Sequence, residues 1–171
     1  MSGGPSEEEL ADAARRLGDA LRGAGWRVAT AESSTGGLIG HAVTMIPGSS
    51  DYYPGGVISY SNRAKEVELG VPPSLIEQHG AVSGEVVAAM AQGARQRFGT
   101  ELGVAVTGVA GPDGGSQAKP VGTHWVGVAR PGHPARVEHH RFGHDRDGNK
   151  AAAALAALEL ALAEVTAATA A

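Results

Sequence analysis

Residues 102–107, Leu-Gly-Val-Ala-Val-Thr, are apolar at almost every position instead of at every second one. A strand covered on one face alternates apolar with polar side chains. An unbroken run therefore marks a strand buried on both faces, central in a sheet with helices above and below it. The chain carries the periodicity that such helices need. Ser6 and Glu9 have capping-box spacing, and Leu10, Ala14, Leu17 and Leu21 recur at helical intervals until Gly23 and Gly25, which predicts a helix over 6–23. Residues 26–31 read as a short strand. Leu38, Ile39, Ala42, Val43 and Ile46 then predict a helix over 35–46 that Pro47-Gly48 closes. A second strand is expected over 56–60 and a short helix over 62–69, broken by Val71-Pro72-Pro73, with His79 ending a helical turn before Gly80. Ser83 can cap a longer helix whose apolar face is Val87, Met90, Ala91, Ala94 and Phe98.

Beyond the central run, residues 108–122 are too rich in glycine and proline for regular structure. Residues 123–129 and 137–142 follow as two strands joined through Pro131-Gly132, and 149–169 as a last helix with Leu155, Leu158, Leu162 and Val165 on one side. Helical crossovers join parallel strands, whereas the late hairpin is antiparallel. The expected class is therefore α/β, a three-layer α/β/α sandwich with a mixed, mostly parallel sheet and one antiparallel hairpin. A length of 171 residues supports one sizeable core, so 1–171 reads as a single domain with 1–5 disordered.

Composition removes several functions. A net charge of -4 and the lack of any Lys/Arg run longer than two residues argue against a nucleic-acid partner. Without cysteine, disulfides and thiolate chemistry are excluded, and zinc would need histidines and carboxylates alone. His139 and His140 are neighbours in a strand and point to opposite faces, and Asp145-Arg146-Asp147-Gly148-Asn149 lacks the glycine and glutamate of a calcium loop, having Lys150 and Ala156 instead. No metal is expected. The chain starts with small polar residues followed by Glu7, Glu8 and Glu9, unlike a secretory signal, and the apolar stretch over 151–170 is mostly alanine interrupted by Glu159 and Glu164. The expectation is a cytoplasmic protein without a membrane partner.

Two segments concentrate chemical potential. Glu32-Ser33-Ser34-Thr35-Gly36-Gly37 places three hydroxyls where a strand hands over to a helix, a position whose free N–H groups hold anions or stabilise an oxyanion. The plainer reading is that Ser34 or Thr35 caps the helix. The second segment, starting Gly108-Val109-Ala110-Gly111-Pro112-Asp113-Gly114-Gly115-Ser116, follows the central strand and so belongs at its carboxyl edge, where ligands bind in open α/β sheets. It is neither a Walker loop nor a Rossmann loop. A serine hydroxyl needs a base to become a nucleophile. The chain offers seven histidines, none placed beside Ser33 by the sequence, and only three lysines, Lys65, Lys119 and Lys150, which act as bases when burial lowers their pKa.

Block by block, residues 31–37, Pro47-Gly48-Ser49-Ser50, Ser59-Tyr60-Ser61-Asn62-Arg63-Ala64-Lys65, His79-Gly80-Ala81-Val82-Ser83, Thr107 to Ser116, and Lys119-Pro120-Val121-Gly122-Thr123 resemble the CinA C-terminal family, which includes nicotinamide mononucleotide deamidases. The likeness runs from about Leu10 to the last helix. It implies a stand-alone amidohydrolase that converts nicotinamide mononucleotide to nicotinic acid mononucleotide and ammonia, in pyridine nucleotide salvage, without a cofactor. The implied roles are Ser33 as nucleophile, Lys65 as base, and Tyr60 as the residue that orients them or relays the proton. Ser34, Thr35 and Ser50 stand as alternative nucleophiles. Backbone around Thr35 and Gly36 would hold the oxyanion, and Gly37 would join them in binding substrate. Thr107, Gly108, Gly111, Gly114, Gly115 and Ser116 would hold the nucleotide, with Lys119 and Arg146 as charge partners. Two departures from the family pattern stand out: Ser34 where cysteine is usual, and Lys150 where an arginine is common near the start of the last helix. The competing expectations are an amidase for another small carboxamide and a non-catalytic nucleotide-binding or competence-associated interaction module. The resemblance allows a homo-oligomer, for which no heptad seam speaks.

Overall fold

The computed structural model describes residues 3–170. Its elements run α1 (Glu7–Ala24), β1 (Val28–Glu32), α2 (Leu38–Thr44), β2 (Gly55–Ile58), α3 (Asn62–Leu69), α4 (Pro73–His79), α5 (Gly84–Phe98), β3 (Leu102–Gly108), β4 (Thr123–Ala129), β5 (Arg136–Arg141) and α6 (Arg146–Thr169), with a single 3-10 turn at Ser49–Asp51. The sheet order is β2-β1-β3-β4-β5, so the unbroken apolar run is indeed the middle strand. β1 pairs in parallel with both β2 and β3, while β4 is antiparallel to β3 and to β5. One reversed strand, β4, thus makes the sheet mixed. The α/β sandwich expected from the sequence is the observed one.

The two faces of the sheet are sorted by side-chain size. Val28, Leu102, Val104, Val106, Val126 and Val128 project into a core shared with α1, α2 and α6. Ala29, Ala31, Ala105 and Ala129 project to the other side, where Val86, Val87, Met90, Ala91 and Ala94 of α5 lie. Small residues let a helix come close. At Gly103 a Cβ would overlap the Ala91 carbonyl, so α5 rides directly on the β3 backbone. Helix α6, long and apolar enough by composition to cross a membrane, is a core helix here: Ala153, Ala157, Leu158, Leu160, Ala161 and Val165 are buried between the sheet and α1.

Boundaries shift where capping decides them. The helix expected over 35–46 begins only at Leu38, because Gly36 and Gly37 have left-handed φ of 61° and 104° and close a tight turn. The turn expected at His79 is a full helix, α4; proline is tolerated in a first turn, so the prolines that end α3 also open α4. Helix α6 starts at Arg146 instead of 149, since the Asp145 carboxylate accepts the Gly148 N–H at 2.9 Å. The capping box of Ser6 and Glu9 is present as expected. Of the residues read as disordered, 1–2 lie outside the described part, whereas Gly4 packs against the Gly148 backbone.

Candidate active site

β1 and β3 run side by side and end at the same edge of the sheet. From there the chain leaves β1 towards α2 on one face and leaves β3 through the glycine-rich loop. The divergence opens a crevice of the kind that holds ligands at the carboxyl ends of parallel strands. The turn after β1 is fixed on both sides: Ser33 N–H donates to the Val106 carbonyl (3.1 Å) and Ser59 N–H to the Glu32 carbonyl (2.8 Å). Ser33 is thereby held at the strand tip, 7% exposed.

Lys65 comes from the second turn of α3, whose start Ser61 caps by accepting the Ala64 N–H. Its side chain runs inward and is 1% exposed. Nζ donates to Ser33 Oγ at 2.9 Å, to the Ser59 carbonyl at 2.8 Å and to the Tyr60 carbonyl at 3.4 Å. No carboxylate pairs with it among the described residues. Burial without a counter-charge disfavours the ammonium form and lowers the pKa from 10.5 to about 8. Nζ thus lies within hydrogen-bond reach of a serine hydroxyl and with a pKa near neutrality, the two requirements for a general base.

Glu32 is the residue the sequence reading passed over. It ends a strand buried on both faces and is 2% exposed. Oε1 accepts the Thr35 hydroxyl (2.7 Å) and the Ile39 N–H (2.8 Å), and Oε2 accepts the Gly40 N–H (3.0 Å). The carboxylate therefore does the capping that Ser34 or Thr35 was expected to do, with its charge at the positive end of α2. A carboxylate at the inner end of an apolar strand was the available signal, since a buried charge requires partners.

A cavity of about 310 Å³ opens over Ser33 and Lys65, lined also by Ser34, Tyr60, Ala81, Thr107, Gly108, Gly111, Asp113, Gly114 and Arg146. That volume suits a small ligand. Its far wall is tied to α6: Asn149 Nδ2 donates to the Ala110 carbonyl (2.9 Å) while its Oδ1 accepts the His144 N–H, and Arg146 donates to the Gly111 carbonyl (2.6 Å). Asn149, fully buried, was not singled out from the sequence because its partners lie in a loop of no regular pattern.

Other expected residues fall elsewhere. Thr35, Gly36 and Gly37 line a different hollow, with His41, Asp147 and Lys150, and the Gly36 N–H already donates to the Ser33 carbonyl (3.1 Å). They are not among the residues that line the cavity over Ser33. Gly115, Ser116 and Lys119 are not among the residues that line the cavity. Lys119 Nζ instead donates to the His79 carbonyl at 2.7 Å, and Ser116 Oγ accepts the Lys119 N–H. Tyr60 sits at the mouth, 66% exposed, and its carbonyl accepts from Lys65, while its phenol makes no hydrogen bond among the described residues. Ser50 lies in the 3-10 turn beside Tyr52, whose carbonyl accepts the N–H of Val28 at the opposite end of β1. No histidine lines the cavity.

Residues 10–165 match the model of the CinA C-terminal domain family. The chain belongs to that family. A CinA-like protein of Salinibacter ruber is 52% identical over 143 residues, which is 84% of this chain but 34% of that protein. The chain spans about a third of the length of that CinA-like relative. The nicotinamide-nucleotide amidohydrolase PncC of Enterobacter agglomerans is 45% identical over 159 residues, 93% of this chain and 97% of the relative. Among solved structures, the competence/damage inducible protein CihA of Agrobacterium tumefaciens superposes with a TM-score of 0.89 at 38% identity, covering 97% of this chain and 99% of that one. A CinA superfamily protein of Klebsiella pneumoniae gives 0.88 at 30% identity. The five-stranded sandwich is therefore the CinA C-terminal fold.

Proposed function

We propose that this chain is an amidohydrolase that removes the carboxamide nitrogen of nicotinamide mononucleotide, with Ser33 as nucleophile and Lys65 as base. The observation that carries the reading is the 2.9 Å contact between a buried, uncompensated lysine and a serine hydroxyl at the base of a cavity. Neutral Lys65 takes the Ser33 proton as Oγ attacks the amide carbon. The tetrahedral adduct collapses when the Lys65 ammonium returns that proton to the nitrogen, the C–N bond breaks and ammonia leaves. Water then attacks the ester, its proton passing by way of Lys65 to Ser33 Oγ, and the carboxylate product departs. The match over 93% of this chain to an amidohydrolase named for nicotinamide nucleotides supports the substrate. Arg146, which lines the cavity at the start of α6, is the charge partner that this reading gives to the phosphate. No metal or organic cofactor has a part in this sequence of steps.

Ammonia release from nicotinamide mononucleotide by the purified protein, beside Ser33→Ala, tests the proposal. Turnover by the wild type and none by the variant is the expected result. Wild-type ammonia release from Ser33→Ala would remove the nucleophile assignment. Binding without turnover by the wild type would favour a non-catalytic nucleotide-binding module.

A further inference from the structure

Three buried side-chain atoms lack a hydrogen-bond partner among the described residues: Ser34 Oγ, Tyr52 Oη and His124 Nε2. Only Ser34 borders the cavity that holds Ser33 and Lys65. Buried hydroxyls are almost always paired, so an orphan beside a reactive serine calls for a partner that the protein itself does not provide.

Three neighbouring groups are committed. The Ser33 hydroxyl accepts from Lys65, the Thr35 hydroxyl donates to Glu32, and the Gly36 N–H donates to the Ser33 carbonyl. Ser34 Oγ, by contrast, is buried and neither donates nor accepts among the described residues, and the residue is 7% exposed. The backbone N–H of Ser34 also has no acceptor among the described residues.

We infer that Ser34 is a second catalytic serine whose hydroxyl donates to the carbonyl oxygen of the carboxamide as that oxygen becomes an oxyanion. The inference rests on the proposed attack by Ser33. Lys65 serves the attacking oxygen and the leaving nitrogen, so the third substituent of the tetrahedral carbon needs a donor of its own. It forms one bond beyond the Ser33 Oγ–carbon link, in the cavity that Ser34 also lines. Ser34 Oγ is itself shielded, so the role requires a change of χ1 that turns the hydroxyl from the wall to that oxygen.

Kinetics of ammonia release from nicotinamide mononucleotide by Ser34→Ala and Ser34→Cys, with Ser33→Ala alongside and melting temperatures recorded, test this. A donor that acts only in the transition state predicts a fall of kcat of about tenfold to a hundredfold in Ser34→Ala with KM unchanged. Ser34→Cys, close in size but a weak donor, should fall between, and the pH at which activity rises should match the wild type in both. A wild-type kcat in Ser34→Ala, or a loss confined to KM, overturns the role. If Ser34→Ala does not fold, kcat of Ser34→Cys decides by the same criterion. Inactive Ser33→Ala beside wild-type Ser34→Ala defeats this inference alone; active Ser33→Ala defeats the nucleophile assignment and this inference with it.

Discussion

Lys65 and Ser33 are 32 positions apart in the chain and 2.9 Å apart in space, joined where α3 and the end of β1 meet. The contact exists because β2 lies beside β1. Leaving β2, the chain turns at once into α3, and the Ser59 and Tyr60 carbonyls at that turn anchor the ammonium group as it reaches Ser33. Each acceptor is neutral. Lys65 therefore gains hydrogen bonds without the counter-ion that would fix its charge.

The pH dependence of kcat/KM follows from that environment. With the Lys65 pKa lowered to about 8 by burial, the neutral base is the minority form at pH 7. Activity should fall about tenfold per pH unit below pH 7 and level off above pH 9. A profile of ammonia release from pH 6 to 10 checks this, and a flat profile across that range would exclude Lys65 as base.

Removing the buried amine should trade activity for stability. Because the folded pKa lies below the 10.5 of an exposed lysine, the unfolded chain binds more protons between about pH 8 and 10.5, and folding stability rises with pH across that window. Below pH 8 the unfavourable contribution is fully present, roughly 3 kcal/mol, offset in part by the hydrogen bonds. Lys65→Met should be inactive yet more stable at pH 7 by about 1 kcal/mol, a gain of about 2–4 °C in Tm that shrinks towards pH 10. Thermal unfolding at the two pH values measures it.

Glu32 holds the nucleophile's turn without touching the cavity. Glu32→Gln replaces one acceptor oxygen by an NH2 that faces a donor, so either the Gly40 N–H or the pair from Thr35 and Ile39 loses its partner. A loss of about 1–3 kcal/mol in urea unfolding is expected. The displaced turn should lower kcat more than it raises KM. An unchanged stability would show that the carboxylate is not what caps α2.

Arg146 and Lys119 separate cleanly. Arg146 borders the cavity and Lys119 does not, so Arg146→Met should raise KM for nicotinamide mononucleotide by about tenfold, the equivalent of one lost charge-assisted hydrogen bond. The same change should matter little for the dephosphorylated nucleoside. Lys119→Met should leave KM within about twofold. Equal effects of the two variants would move the phosphate away from α6.

The sequence by itself determined the layers. An apolar run without alternation specified a central strand, amphipathic repeats specified what covers it, and the hydroxyl-rich turn and glycine-rich loop had to emerge at strand ends because neither can continue a strand or helix. Membership of the family was legible in blocks that keep Ser33 and Lys65. Only the tertiary structure decided which of these blocks share a cavity. Thr35, Gly36 and Gly37 face a different hollow from Ser33 although they follow it directly, because two left-handed glycines and the Glu32 carboxylate turn the chain away. Asn149 and Arg146 reach the loop after β3 from a helix almost forty residues later. Such contacts depend on how helices dock on a sheet, and local periodicity, which reports only which face of an element is buried, carries no record of what that face will meet.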